Sequence, residues 1–359
     1  MRTLRAHALR SLVACAFERM GALRPDAEYV AASLVKANLS GYDSHGVFRL
    51  AQYYQWWKEG LLRPAAQPEV AEERGFAAFL DGHWGFGQVV ARFASQVALR
   101  RAQAGGFAVV TAKNSNHVGR LADTVEIVKD AGLIGLAVVN DSGAGQCVVP
   151  WGGMDGRLST NPIAVGVPGG DGPGVLFDFS TSAAASGKVR QLLLRGEETP
   201  DGWLIDGSGW PTRDPGSLFR EPHGFLLPAG GHRGYALSLL VEVLAGILSG
   251  AGFANANPGP EEMNGLFILA LNPSWFMPLG TFRTHVDQLT SYVKTARAMP
   301  GTGPVHIPGE RSREEAARRE RAGIALDDAS CAALAAVLTN LGLADDLPYQ
   351  ERPDSDRGS

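Results

Sequence analysis

Apolar positions in the first sixty residues recur with a helical period. Leu4, Leu9, Leu12, Val13 and Phe17 predict an amphipathic first helix. A second run, Ala27 to Leu39, opens after Pro25, a residue suited to a first helical turn. A third begins near Gly46 and carries Leu50, Tyr53, Tyr54 and Trp57. Trp84 to Ala104 predicts a further helix, stopped by Gly105-Gly106. Phe107 to Thr111 and Ile134 to Val139 are short, Val-rich apolar runs that predict strands. Between them Leu121 to Ala131 reads as a helix ending at Gly132.

From 140 to 232 glycine and proline become dense. Short strands, Ile163 to Val167 and Val175 to Phe179, alternate with turns, and Trp203 to Ile205 with Gly207 to Gly209 reads as a surface hairpin. Arg233 to Gly250 predicts a long helix. It contains most of the longest apolar stretch, Ala236 to Gly252, which Glu242 interrupts and which reads as a buried core helix rather than a membrane span. Leu266 to Leu271 predicts a strand. Phe282 to Ala298, Arg313 to Arg321 and Asp328 to Leu341 predict helices, and residues 346–359 are expected to be disordered. Strands and helices do not follow a regular βαβ rhythm. A mixed α/β (α+β) arrangement is therefore expected in place of a doubly wound sheet.

Composition narrows the picture. A chain of 359 residues fits two or three lobes at about 150 residues each. With 33 basic and 37 acidic residues the formal charge is −4, which argues against a nucleic-acid or anionic-membrane partner. The basic residues are 27 Arg and 6 Lys, so an Arg where a Lys is usual carries little meaning by itself. Cys15, Cys147 and Cys331 are far apart, which argues against a disulfide framework and a Cys-rich metal site; no metal is expected. The Arg-rich start lacks a clear cleavage site, and its apolar run Ser11 to Phe17 ends at Glu18-Arg19. It reads as a helix rather than a targeting peptide, and a cytoplasmic location is expected.

The common nucleotide motifs are absent: no G-x-G-x-x-G follows a strand and no phosphate-loop signature exists. Gly169-Gly170-Asp171-Gly172 has the composition of a phosphate loop with the wrong spacing, and reads as a strand connection. The densest polar cluster runs Asp43-Ser44-His45-Gly46-Val47-Phe48-Arg49. An imidazole titrates near neutral pH and serves as a general acid or base. Arg49, four residues after His45, would share its face on a helix, and a guanidinium fork matches a carboxylate. Tyr53 is four residues further along. The competing reading is a helix cap by Asp43 or Ser44. Asn114 to Gly119 places His117 between a strand and a helix; it reads either as a site loop or as a capping loop. Leu158 to Pro162 and Asp178 to Ser182 sit at strand ends and are rich in small hydroxyls, which suit a phosphate or ribose and equally suit turns; Lys188 and Arg190 follow. Gly230 to Tyr235 opens the long helix, and Arg233 there would reinforce an anion site.

Taken together these segments resemble the non-Rossmann malate/L-lactate dehydrogenase family, which includes sulfolactate, ureidoglycolate and diketogulonate oxidoreductases and cyclic imino acid reductases. The matching pieces stand in family order: Gly41 to Leu50, Ser115 to Gly119, Pro150 to Gly153, Thr160 to Ile163, Asp178 to Lys188, Gly231 to Tyr235, Asn264-Gly265, Asn272-Pro273 and Pro308 to Glu310. The resemblance implies a homodimeric oxidoreductase using NAD or NADP and a small carboxylate substrate. It implies a cofactor domain with a mixed, non-Rossmann sheet at 81–310, including a helical insert near 233–250. A helical domain would be built from both chain ends, 1–80 and 311–345, with the site between the two domains. His45 and His117 match alternative acid/base residues; Ser44, Arg49 and Tyr53 fall to the substrate. Ser115, Asn116, Thr160, Asn161, Asp178, Phe179, Ser180, Thr181, Ser182, Lys188, His232, Arg233, Asn272, Pro308, Gly309 and Glu310 fall to the cofactor. Arg233 departs from the usual Lys. The loop Asn140 to Val149 is where substrate choice is expected. A 2-hydroxy or 2-oxo acid is the expected substrate; a cyclic imine on the same scaffold and a non-catalytic nucleotide-binding protein are the alternatives.

Overall fold

The computed structural model describes residues 2–142, 145–257 and 263–343. The expected disordered tail lies outside these residues. The chain divides into two compact units, one of residues up to Ala65 with those from Glu310 on, the other Ala66–Gly309. Elements are numbered in chain order.

The first unit holds β1 (Arg2–Leu4), α1 (Ala6–Arg19), α2 (Arg24–Leu39), α3 (Arg49–Lys58), α9 (Glu310–Ala322), β12 (Ile324–Leu326) and α10 (Asp328–Asn340). Leu9, Leu12, Val13 and Phe17 of α1 are buried, as their spacing requires. Pro25 stands in the first turn of α2. Strand β1 pairs antiparallel with β12, which ties the two ends of the chain together. Among these helices α9 has no buried residue at all.

The second unit is built on a seven-stranded mixed sheet in the order β2 (Glu69–Arg74), β3 (Ala77–Gly85), β4 (Phe107–Ser115), β11 (Asn264–Leu271), β5 (Ile134–Asp141), β6 (Ile163–Val167) and β7 (Val175–Phe179). Only β3 and β4 run parallel; every other neighbouring pair is antiparallel. Helices α4 (Gly87–Gly105) and α5 (Leu121–Asp130) cover one face, where Val90, Ala94, Val97, Val110, Val125 and Ile268 form the main core. Val241 and Ala245 pack on the other face against Val138, Ile163 and Phe267. A small sheet of β8 (Leu204–Ile205), β9 (Pro211–Thr212) and β10 (Phe225–Leu226) closes over α6 (Ser186–Arg195).

Three expectations need correction. The helix expected from Trp84 begins at Gly87, because β3 continues through Gly85. Residues 69–80, expected in the N-terminal helical part, form β2 and part of β3. Their sequence hid this: Glu69–Arg74 is an almost wholly polar edge strand with nothing apolar to alternate. The long apolar helix is not a buried one. It runs as α7 (His232–Val241) and then widens into a π-helical turn, Glu242–Ile247. Val241 and Ala245 face the sheet, while Leu240, Ile247 and Leu248 are each about half exposed. An apolar run that surrounds a helix cannot be buried by a sheet on one side alone.

The glycine-rich loop after β6 has a structural occupant. The N–H groups of Gly170, Asp171 and Gly172 converge on the carboxylate of Asp287 in α8 (Leu279–Lys294), at 2.9 Å from Asp171. Three successive amides form an anion nest, and the chain fills it with its own side chain. A Cβ at Gly169, Gly170 or Gly172 would come within 2.9 Å of that carboxylate. Helix α8 buries no residue fully, and this clamp ties it to the loop after β6. Asp287→Ala should lower unfolding stability by about 1 kcal/mol, the modest worth of an exposed charge-assisted set. Urea denaturation checks this, and Asp287→Asn should retain part of the loss.

Candidate functional site

In the first unit, Asp43–His45 forms a single 3₁₀ turn between α2 and α3. Gly46 is extended, and α3 starts only at Arg49. His45 and Arg49 therefore do not share a continuous helix, contrary to the spacing argument. Arg49 instead folds back onto the residue before His45, its Nε donating to the Ser44 carbonyl at 2.9 Å. Ser44, His45 and Arg49 are all half-buried. Tyr53, expected one turn further along their face, is a core residue. Its ring stacks on Trp56 at 5.7 Å and is 1% exposed.

In the second unit the register of the sheet decides which candidates meet. Ile163 pairs with Phe179 and Asn264 with Asp141; β4 ends at Ser115 beside them. Ser115 to His117, Asn140, Asp141, Thr160, Asn161, Phe179 to Ser182 and Asn264 thus gather at one end of the sheet. Asn272 does not. It follows Leu271, which pairs with Phe107 at the other end, and its carboxamide caps the next turn through Ser274 N at 3.0 Å. Lys188 Nζ stands 5.0 Å from the centre of the Trp203 ring. The Pro308 carbonyl accepts from Leu176 N on the edge strand β7; Gly309 and Glu310 follow it. His232 and Arg233 open α7 and are exposed, after Gly231 at φ +65°.

Several of the gathered polar groups are consumed by the fold. Ser115 Oγ donates to the Asn116 carbonyl, and Asn116 Nδ2 donates to the carbonyls of Trp84 and Gly85. Thr181 Oγ1 donates to the Thr160 carbonyl, Ser182 Oγ to that of Ala184, and Ser180 Oγ to that of Ser182. The Ser115 and Asn116 bonds fix the backbone that leads into His117, which is half-buried. Among the described residues, three of the four non-glycine residues with positive φ stand at this corner: His83, Trp84 and Asn114. Such conformations cost about 1–3 kcal/mol each and persist where the surroundings impose them. Asp81 imposes them here, accepting from His83 N and Asn114 Nδ2, both at 2.8 Å.

Sequence reasoning missed a buried polar knot behind the same loop. Glu242 is 6% exposed and accepts from Asn161 Nδ2 at 2.8 Å, Asn140 Nδ2 at 3.1 Å and Ala254 N at 3.1 Å. Asn264 donates to the Asn140 carbonyl and accepts from Val118 N at 3.1 Å. A chain of side chains thus joins the residue after His117 to α7. The available signal was the one charge inside the apolar run, Glu242: a buried carboxylate demands partners. Asn161, at φ +38°, keeps its Oδ1 buried without a partner among the described residues.

Asp178 caps α5 from outside: its Oδ2 accepts from Ala122 N at 2.8 Å. Burial pushes its carboxyl up to about 6, against the opposing pull of that hydrogen bond and of nearby Arg120. Among the described residues no group of three His, Cys, Asp or Glu side chains could hold a metal ion. No described helix is long and apolar enough to cross a membrane.

A sequence model of the family described as malate/L-lactate dehydrogenase matches residues 4–335. An L-lactate dehydrogenase of Cupriavidus necator is 36% identical over 304 residues, 84% of this chain and 86% of that one. The solved sulfolactate dehydrogenase of Methanocaldococcus jannaschii superposes with a TM-score of 0.85 at 30% identity, covering 95% of this chain and 98% of that one. The Δ1-piperideine-2-carboxylate reductase of Pseudomonas syringae pvar. tomato superposes at 0.81 with 29% identity, covering 94% and 100%.

The Asp178 environment has a measurable consequence. A carboxyl whose folded pKa exceeds its unfolded value favours folding most below the unfolded pKa, near 4, and loses that contribution as pH rises through about 6. Asp178→Asn removes the titration. Relative to the parent, the variant should gain about 1–3 kcal/mol of stability between pH 4 and pH 7. Denaturation curves across that range check the sign; a difference independent of pH would contradict it.

Proposed function

The chain belongs to the malate/L-lactate dehydrogenase family, dehydrogenases that act on the CH–OH group of 2-hydroxy acids, and from that premise we propose a specific division of labour. The substrate is a small 2-hydroxy or 2-oxo carboxylic acid of the malate, lactate or sulfolactate kind. Arg49 binds its carboxylate. His45 exchanges the proton at the hydroxyl or carbonyl oxygen, with His117 as the alternative acid/base. The observation that carries this reading is the fold-back of Arg49 onto the Ser44 carbonyl, which sets a carboxylate-matching guanidinium beside the His45 turn.

The cofactor in this reading is NAD or NADP, held by the second unit. The donor set fits such a group. The N-terminus of α7, with His232 and Arg233 exposed after Gly231, suits a pyrophosphate. The unpartnered Oδ1 of Asn161 and the half-buried Thr160 add polar groups at the same sheet end. When bound, the nicotinamide supplies or accepts the hydride. The protein's part is to grip the carboxylate, orient the reacting carbon and move one proton. Reduction of a cyclic imino acid is a second reading, favoured by the likeness to the piperideine-2-carboxylate reductase. There the proton goes to nitrogen.

A panel of 2-oxo acids and cyclic imines, assayed with NADH and NADPH by absorbance at 340 nm, tests the function. Turnover is expected with a 2-oxo acid, and no oxidation of either cofactor with any member would sink the reading. His45→Ala should lower kcat by roughly 10²–10⁴-fold with cofactor affinity kept. Should His117→Ala alone do so, the proton belongs to His117. Arg49→Lys should raise KM for the acid, since a point charge replaces a fork.

The same reading makes the protein a homodimer. It is supported by the apolar side of α7 and the π-helical turn, where Leu237, Leu240, Val243, Ile247 and Leu248 are exposed in one chain. Contiguous apolar surface of this kind marks an interface. Light scattering should report twice the chain mass, and Ile247→Arg should shift the population toward monomer. A monomeric parent protein would refute the assignment.

A further inference from the structure

The turn that carries His45 cannot hold its own shape. None of its residues is fully buried, and it spans only Asp43–His45. It is instead tied down from outside. Asp43 Oδ1 accepts from Asn38 Nδ2 and from an Arg319 guanidinium nitrogen, both at 2.7 Å. The same Arg319 nitrogen donates to the Asn38 carbonyl at 2.7 Å. Asn38 Oδ1 accepts from Val47 N at 2.9 Å, on the far side of the turn. Gly46 lies so close to the Asn38 carboxamide that a Cβ there would approach to 2.3 Å. Arg319 is itself aimed by Glu315, one turn earlier on α9, which accepts from its Nε. Arg318 and Arg319 hold the Glu315 carboxyl down to about 2, so it stays charged at any working pH.

Arg319 comes from a helix with no fully buried residue, 276 positions along the chain from Asp43. Exposed ion pairs contribute little to stability, so α9 is a poor investment for folding alone. Its Arg319, only 17% exposed, makes the contact that reaches the turn. We propose that Asp43, Arg319 and Asn38 form a positioning clamp that fixes the direction of His45 and Arg49 toward the substrate. This rests on the reading of His45 as the proton carrier and Arg49 as the carboxylate ligand. None of the three is assigned to the substrate in that reading. They act by holding the Ser44–His45 peptide, whose carbonyl accepts from Arg49 Nε, and small displacements there are costly to rate.

The test uses the full-length protein with its best 2-oxo acid substrate. Arg319→Met, which removes the donor, should lower kcat roughly 10- to 100-fold, and Asp43→Asn, which keeps an acceptor oxygen but loses the charge, should lower it by less. NADH affinity by fluorescence titration should stay within twofold of the parent. Arg319→Lys restores a charge and should recover part of the rate. The double variant Asp43→Asn/Arg319→Met should be no slower than the worse single one, because both act on one contact. Thermal midpoints are measured alongside, and His45→Ala is the reference. If His45→Ala loses turnover while Asp43→Asn and Arg319→Met keep the parent kcat and KM and lose only thermal stability, the clamp is overturned and the functional reading stands. If His45→Ala itself keeps the parent turnover, the clamp and the assignment of the proton to His45 are both overturned. Should Arg319→Met fail to fold, Asp43→Asn and Arg319→Lys decide the matter by the same criteria.

Discussion

Strand β11 pairs antiparallel with β4 on one side and β5 on the other, and the placement of the loops at both sheet ends follows from that register. Two strands that run the same way need a crossover, and α5 provides it between β4 and β5. The space so opened is filled by a strand from more than a hundred residues later. Because β11 is covered on both faces, its sequence Asn264–Leu271 reads as an almost continuous apolar run rather than an alternation. Its polar first residue then falls beside Asp141 and behind the His117 loop. Slipping β11 by two residues would keep its apolar faces and still misplace Asn264, so the Val118 hydrogen bond pins the register as well as the loop.

Polar side chains at that sheet end serve two masters. Ser115, Asn116, Thr181 and Ser182 satisfy backbone groups, and Glu242 gathers the carboxamides of Asn140 and Asn161. Buried donors and acceptors must be paired, and pairing them also freezes the loops at that sheet end. The left-handed residues His83, Trp84 and Asn114 belong to the same logic. Strain is tolerated there because Asp81 and Asn116 pin both sides of it. Across the molecule the pattern recurs: a carboxylate is matched to backbone amides at Asp287 and Asp178, and to a guanidinium at Asp43.

Helical spacing made α1, α2, α5 and α10 legible, since each buries one side and exposes the other. Strands β6 and β7 were legible to the residue because apolar runs bounded by Gly and Pro leave little choice of length. The resemblance, carried by short segments such as Gly41 to Leu50 and Thr160 to Ile163, identified the family from local sequence alone. Local sequence also contained the pieces of the proposed His45 site, because Ser44, His45 and Arg49 lie within six positions.

What only tertiary structure decided concerns partners distant in sequence. The helix-face argument linking His45 to Arg49 failed because Gly46 breaks the helix there, and a backbone carbonyl supplied the link instead. Asn272 looked like its neighbours in the resemblance but lies at the wrong end of β11, a matter of strand direction that composition does not encode. Tyr53 had the polarity of a ligand and the fate of a core residue, since a helix buries whichever side meets its neighbours. The partners of Asp43, Asp287 and Glu242 stand on other elements, up to 276 residues away. A carboxylate in a sequence states only that a donor is needed. Which donor arrives is settled by how the elements pack, because charge and hydrogen-bond capacity act through space over a few ångströms and not along the chain.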